Sequence, residues 1–131
     1  MNETSENQLK KAQEAIAVVP LSEEHSISLL MRRFFNILLF LSQEMGDIEI
    51  YKTPLSKLID LAEYGSTNLE AVKDALRKMT TTIVEWNDVL DDKGRIRWGV
   101  SALLSHAEII RDKKYAFVEW SFSPAIKRLL L

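Results

Sequence analysis

The sequence contains no cysteine, which excludes disulfides, thiol nucleophiles and thiolate metal sites together. Its four glycines all fall at turns or in a strand-like run, so no glycine-rich phosphate loop can be built. The two histidines, His25 and His106, lie far apart, and neither has a second ligand at metal-binding spacing. The acidic pairs Glu23-Glu24 and Asp91-Asp92 suit a helix start and a turn better than acid–base chemistry. No catalytic residue, metal ligand or cofactor is assigned, and an enzyme is not expected. The most apolar run, FFNILLFLSQ from Phe34 to Gln43, is too short for a bilayer, which takes about 20 residues. The opening MNETSENQLKK lacks the basic-then-apolar order of a secretory signal. A cytoplasmic protein with no membrane partner is the expectation.

Strong charge of either sign is also missing. The net charge is −2 over 131 residues, which is not the footprint of a general nucleic-acid binder. The charge is uneven, however. Residues 91–131 carry eight Lys and Arg against five Asp and Glu, whereas residues 1–90 carry nine against fourteen. An anionic partner should therefore meet the C-terminal part or a local patch. With 47% hydrophobic residues, the chain has enough apolar material for one domain with one core.

Hydrophobic periodicity orders the rest. Residues 1–7 are polar and expected to fray. A short helix is predicted from Gln8 to Ala17, ended by Val18-Val19-Pro20. Ser22 is placed to cap a long helix, with Glu23 and Glu24 in its first turn. In that helix Ile27, Leu30, Phe34, Leu38, Leu41 and Met45 form one stripe, and Leu29, Phe35, Ile37 and Phe40 widen it. Only Ser28, Arg32, Asn36 and Gln43 mark a polar line. Such a helix is either the central buried helix or part of a subunit interface. Gly46-Asp47 ends it.

IEIYK, Ile48 to Lys52, alternates as a short strand. Thr53 caps a further helix with Pro54 at its first position, and Leu55, Leu58, Ile59 and Ala62 turn inward. Gly65 supplies a turn, and Thr67 with Glu70 forms a capping box for the next helix. Leu69, Val72, Leu76 and Met79 share a face of that helix. The period then changes to two. Strands are predicted over Thr80–Trp86, over Ile96–Leu104 with Ile110 as the furthest reach, and over Tyr115–Phe122. Polar turns at Asp91–Arg95 and Arg111–Lys114 join them, and Ser123-Pro124 opens a last helix. The order predicts an α+β winged helix: a helix-turn-helix with antiparallel β-hairpin wings beside a long buried central helix.

In a helix-turn-helix the second helix enters the major groove. Its outward face here carries Thr67, Asn68, Glu70, Lys73, Asp74, Arg77 and Lys78. Lys73, Arg77 and Lys78 could meet phosphate, and Arg77 could fork onto guanine. The competing reading is a solvated face, because Glu70 and Asp74 sit three or four residues before these cations. Lys93, Arg95 and Arg97 at the first turn, and Arg111, Lys113 and Lys114 at the second, suit phosphate or minor-groove contact. Charged turns are also simply soluble. Trp86, Trp98 and Trp120 fall on strands, where alternation favours a sheet–helix core or a sheet-mediated dimer contact over base stacking.

The run from Ala15-Ile16 through VVPLSEEHSISLLMRRFFNILLFLSQ, then IEIYKTPLSKLIDL, the helix Asn68–Leu76, Val84-Glu85-Trp86 and FSPAIKRLL, resembles plasmid-type replication initiators that bind iteron DNA. The resemblance spans roughly residues 8–131. It implies two consecutive winged-helix domains in the full-length initiator. The first serves dimerisation and auxiliary origin-DNA contact, and the second reads the repeats. This chain resembles the first. What the resemblance implies is a cytoplasmic homodimer that touches double-stranded origin DNA weakly by itself, with host replication proteins as further partners. Dimerisation would compete with origin binding by the monomer. The alternatives are a transcriptional regulator that reads an operator as a dimer, and a winged helix that binds only protein.

Overall fold

The computed structural model describes residues 16–20, 29–62 and 69–131. The expected tail, residues 8–15 of the first helix, the Ser22 cap, the Gly65 turn, and the candidates Thr67 and Asn68 lie outside them. The first described element is strand β1 (Ile16–Pro20). It pairs antiparallel with a later strand, so Ile16 and Ala17 are extended rather than helical. A short apolar run does not reveal its period, and here a distant partner decides it.

Helix α1 (Leu29–Met45) buries Phe34, Leu38 and Leu41 of the predicted stripe, and with them Met31 and Leu39, which the prediction left out. The remainder of its apolar surface is uneven, since Leu29, Phe40 and Met45 are exposed. The chain leaves the helix at Gly46, whose N–H still reaches Ser42 O at 3.0 Å. Strand β2 (Tyr51–Pro54) is displaced from the predicted Ile48–Lys52, with Tyr51 and Thr53 buried and Lys52 and Pro54 outward. Ile48 and Ile50 stay exposed. Lys127 ties this loop down by donating to Ile48 O at 2.7 Å and pairing with Asp47 at 2.8 Å. Thr53 is therefore a ladder residue opposite Val118 and not a helix cap. Pro54 takes the cap position of α2 (Leu55–Leu61), with no side-chain cap bond.

Helix α3 (Leu69–Thr81) buries Val72, Ala75, Leu76 and Met79. It runs two residues further than β propensity suggests. Thr80 Oγ1 donates to Arg77 O at 2.8 Å, Thr81 Oγ1 to Arg77 O at 3.0 Å, and Thr82 Oγ1 to Lys78 O at 2.6 Å. These hydroxyls satisfy carbonyls that the helix end would leave open. Strand β3 (Thr82–Leu90) follows directly.

The strands build two sheets. β1, β3 and β4 (Ile96–Ala102) form one, in that order. β2, β6 (Ala116–Ser121) and β5 (His106–Arg111) form the other. The predicted long strand from Ile96 breaks at Leu103 and Leu104, both buried in succession, which a strand with one wet face does not permit. Their amides bond Thr82 O at 3.0 Å and Met79 O at 3.2 Å, carrying the chain from the first sheet to the second. The last helix, α4 (Pro124–Leu130), opens at Ser123-Pro124 as predicted, and Ser123 Oγ caps it by accepting from Ile126 N. No helix among the described residues is long and apolar enough to cross a membrane.

The core lies where α1 faces the second sheet. Trp120, Tyr51 and Phe34 are its largest fully buried side chains. Tyr51 stacks on Trp120 at 5.8 Å between ring centroids and meets Phe122 edge-on at 5.9 Å. In the first sheet Trp86 is buried beneath Gly99, its cross-strand partner. A Cβ at Gly99 would stand 2.3 Å from Trp86 Cζ2 and 2.5 Å from Cε2. Gly99→Ala should therefore destabilise the domain by about 1–3 kcal/mol, as an overpacked core does. Urea unfolding checks this, and an unchanged midpoint would show that the ring is free to move.

Candidate nucleic-acid interface

Helix α3 sets Lys73, Arg77 and Lys78 beside its own carboxylates, which already engage them. Glu70 meets Lys73 at 3.4 Å and Arg77 at 3.9 Å, and Asp74 meets Arg77 at 3.9 Å and Lys78 at 3.3 Å. Such solvated pairs contribute only about 0.2–0.5 kcal/mol each. Their effect is on the field rather than on stability. Three cations and two carboxylates leave this face a single net positive charge, with both carboxylates turned to solvent where phosphate would approach.

The first turn, between β3 and β4, is organised by Asp91. Its Oδ1 accepts from the backbone N–H of Lys93 at 3.0 Å and of Arg95 at 2.8 Å. Its Oδ2 accepts from Arg95 Nε at 2.9 Å and Arg97 Nε at 2.8 Å. Gly94 sits at φ 77°, a conformation that disfavours other residues. The Arg95 amide, followed by the Arg97 and Arg95 side chains and the Lys93 amide, holds the Asp91 carboxyl well below the usual carboxylate range. Arg95 and Arg97 are thus committed to the turn. Lys93 is exposed, and its ammonium has no ion-pair partner among the described residues.

The second turn, between β5 and β6, uses its acid differently. Asp112 Oδ1 accepts from the amides of Lys114 and Tyr115, both at 2.8 Å, and its own N–H bonds Tyr115 O at 2.9 Å. Those amides, Lys114 first, lower the Asp112 pKa. No basic side chain is consumed in closing this turn. Arg111, Lys113 and Lys114 are exposed and have no ion-pair partner among the described residues. The cationic turn is continued by a residue that sequence reasoning passed over. Lys52 places its Nζ 4.3 Å from the Phe117 ring centroid, and Phe117 lies beside the turn, paired with Ile110. The outward phase of the short strand at Lys52 was the available signal.

The remaining candidates carry less. His106 bonds Ser121 Oγ through Nδ1 at 2.8 Å, a cross-strand contact between β5 and β6. No group of three metal-ligating side chains comes together among the described residues. The acid dependence follows from Asp91, whose folded carboxyl is more acidic than in the unfolded chain. Its contribution to stability is complete above the ordinary carboxylate pKa and declines as pH falls toward the folded value. Wild type should lose more stability than Asp91→Asn between about pH 5 and pH 2. Urea midpoints across that range test this, and parallel curves would contradict it.

A protein-family model described as initiator replication protein, WH1, matches residues 4–131 of the chain. No curated protein and no solved structure matches at a significant level.

Proposed function

The chain belongs to the initiator replication protein family, matching its WH1 domain over residues 4–131, and from that premise we propose that it contacts origin DNA through its second wing and associates with a second copy of itself. Membership favours replication initiation over the operator-binding regulator. Within the winged helix, the observation that carries the reading is the different fate of its cations. Those of α3 are paired along the helix, Arg95 and Arg97 hold Asp91, and Arg111, Lys113 and Lys114 remain open to solvent.

A turn with three cations that have no ion-pair partner among the described residues suits phosphate contact, which positions a protein without selecting sequence. Lys93 at the first turn is a secondary contact of the same kind. Helix α3 then acts first as scaffold, buttressing the core through Val72, Leu76 and Met79. Binding of this domain alone should be weak, salt-dependent and nearly neutral to sequence. Residues 8–131 are read as the first of two winged-helix domains, a reading that the WH1 designation of the family supports. Self-association is supported by apolar surface that the core does not use, on β4 above all.

Combined Arg111→Ala, Lys113→Ala and Lys114→Ala substitutions should flatten the salt dependence of duplex binding, by about 0.9 in slope for each phosphate no longer neutralised. Lys73→Ala and Arg77→Ala should leave affinity within about twofold, since their net field is small. Fluorescence anisotropy across a salt series measures both. Abolished binding in the helix variants with an unaffected wing variant would overturn the reading.

A further inference from the structure

Where the chain crosses from the first sheet to the second, a row of polar side chains is joined end to end. Ser105 follows the buried Leu103 and Leu104 and is exposed. Its N–H donates to Ser121 O at 2.9 Å, so the backbone holds the two serines side by side. Their hydroxyl oxygens lie 2.6 Å apart. Ser121 Oγ is also 2.8 Å from Nδ1 of His106, its cross-strand partner. Glu108, two residues along β5 and so on the same face as His106, sets Oε1 3.5 Å from His106 Nε2. That carboxylate decides the tautomer of the neutral ring. A proton on Nε2 faces it favourably, whereas a lone pair there would oppose its negative charge. Nδ1 is then the acceptor, which turns the Ser121 O–H toward the ring and the Ser105 O–H toward Ser121.

We propose that Ser105 is a nucleophilic serine that takes an acyl group from a small activated ester or thioester. The row supplies a nucleophile, a base reached through one hydroxyl, and a carboxylate that orients the base, the parts such chemistry needs. Ser105 Oγ attacks the carbonyl carbon of the donor and forms the new ester bond. Its proton passes to Ser121 Oγ as the Ser121 proton passes to His106 Nδ1. The bond from the acyl carbon to the leaving oxygen or sulfur breaks, and that atom departs with the electron pair. The leaving group then recovers the proton from the imidazolium. Glu108 faces the positive charge that the ring carries in between. The products are acyl-Ser105 and a free alcohol or thiol. Because Ser105 stands open to solvent, the site selects a reactive donor and not a particular shape, which is why an activated acyl group is the class it takes.

A second hydroxyl pair in the same corner lacks these parts. Ser101 Oγ donates to Ser123 Oγ at 2.7 Å, and Ser123 Oγ accepts from Ile126 N as the cap of α4. Both serines are half-buried, and no imidazole bonds either hydroxyl among the described residues. Hydroxyl pairing alone therefore suffices to tie this corner together, and the imidazole beside Ser121 is an addition to it.

Acetylation by p-nitrophenyl acetate, located by peptide mass spectrometry, tests the proposal. Ser105 should be acetylated faster than Ser101 or Ser123. His106→Gln should slow acetylation of Ser105 by on the order of a hundredfold, the contribution typical of a general base. Ser121→Ala should slow it similarly, whereas Ser121→Thr, which keeps a hydroxyl, should restore it. Acetylation of Lys113 and Lys114 in the same digests should not change, and thermal unfolding verifies the fold of each variant. Should His106→Gln fail to fold, the comparison of Ser121→Ala with Ser121→Thr decides. Ser105 acetylated equally fast in a folded His106→Gln variant overturns the proposal, as does acetyl found on Ser121 with Ser105 unmodified. A Ser121→Thr variant as slow as Ser121→Ala overturns the proton relay.

Discussion

A single buried hydrogen bond sets how the two halves of the domain meet. Trp120 is fully buried in β6, and its indole Nε1 donates to Ser42 Oγ at 2.9 Å. Ser42 is equally buried on α1 and donates in turn to Leu38 O at 2.6 Å. A buried indole N–H without an acceptor would cost about 1–3 kcal/mol, so the large ring can occupy the core only where Ser42 receives it. The bond thereby fixes both the depth and the rotation of β6 against the central helix. β6 is the middle strand of its sheet, so β2 and β5 follow it. β2 leads straight into α2, and β5 with β6 carries the second turn. Helix α2 and the basic wing are placed by the same contact.

From that anchoring the two sheets acquire different surfaces. The sheet tied to α1 ends in a turn whose acid bonds only backbone, which leaves its cations to solvent. The other sheet reaches the core through Val84 and Trp86. Its turn is closed by arginines on Asp91, and its edge is apolar. One side presents open cations and the other an exposed apolar row. This division explains how a protein with net charge −2 can still present a local cationic feature.

Much of this was legible in the sequence where a local rule is sufficient. The stripe on α1, the Gly94 turn, the Ser123 cap and the inward faces of α2 and α3 follow from spacing and side-chain chemistry. The ion pairs of α3 follow from carboxylates three and four residues before cations. What escaped depended on distant partners or on competing local bonds. Ile16 to Pro20 became a strand because β3 receives it, and Thr80 and Thr81 stayed helical because their hydroxyls bond back to Arg77 O and Lys78 O. Alternation could tell that Ile96, Trp98 and Val100 share a face. It could not tell that this face is the exposed one, which is decided by Trp86 occupying the space beneath Gly99. The asymmetry between the two turns was hidden for a similar reason. Asp91 and Asp112 are alike in sequence, and only the geometry shows that one recruits arginines while the other binds amides alone.

The central claim is that the cationic second wing, and not helix α3, meets DNA. Backbone amide shifts recorded by NMR during titration with an origin duplex test it most directly, because they report each segment in one experiment. The account predicts that the largest perturbations fall on residues 111–115, with smaller ones near Lys93 and little change over residues 70–78. Dominant perturbations along α3 with a silent second wing would contradict it.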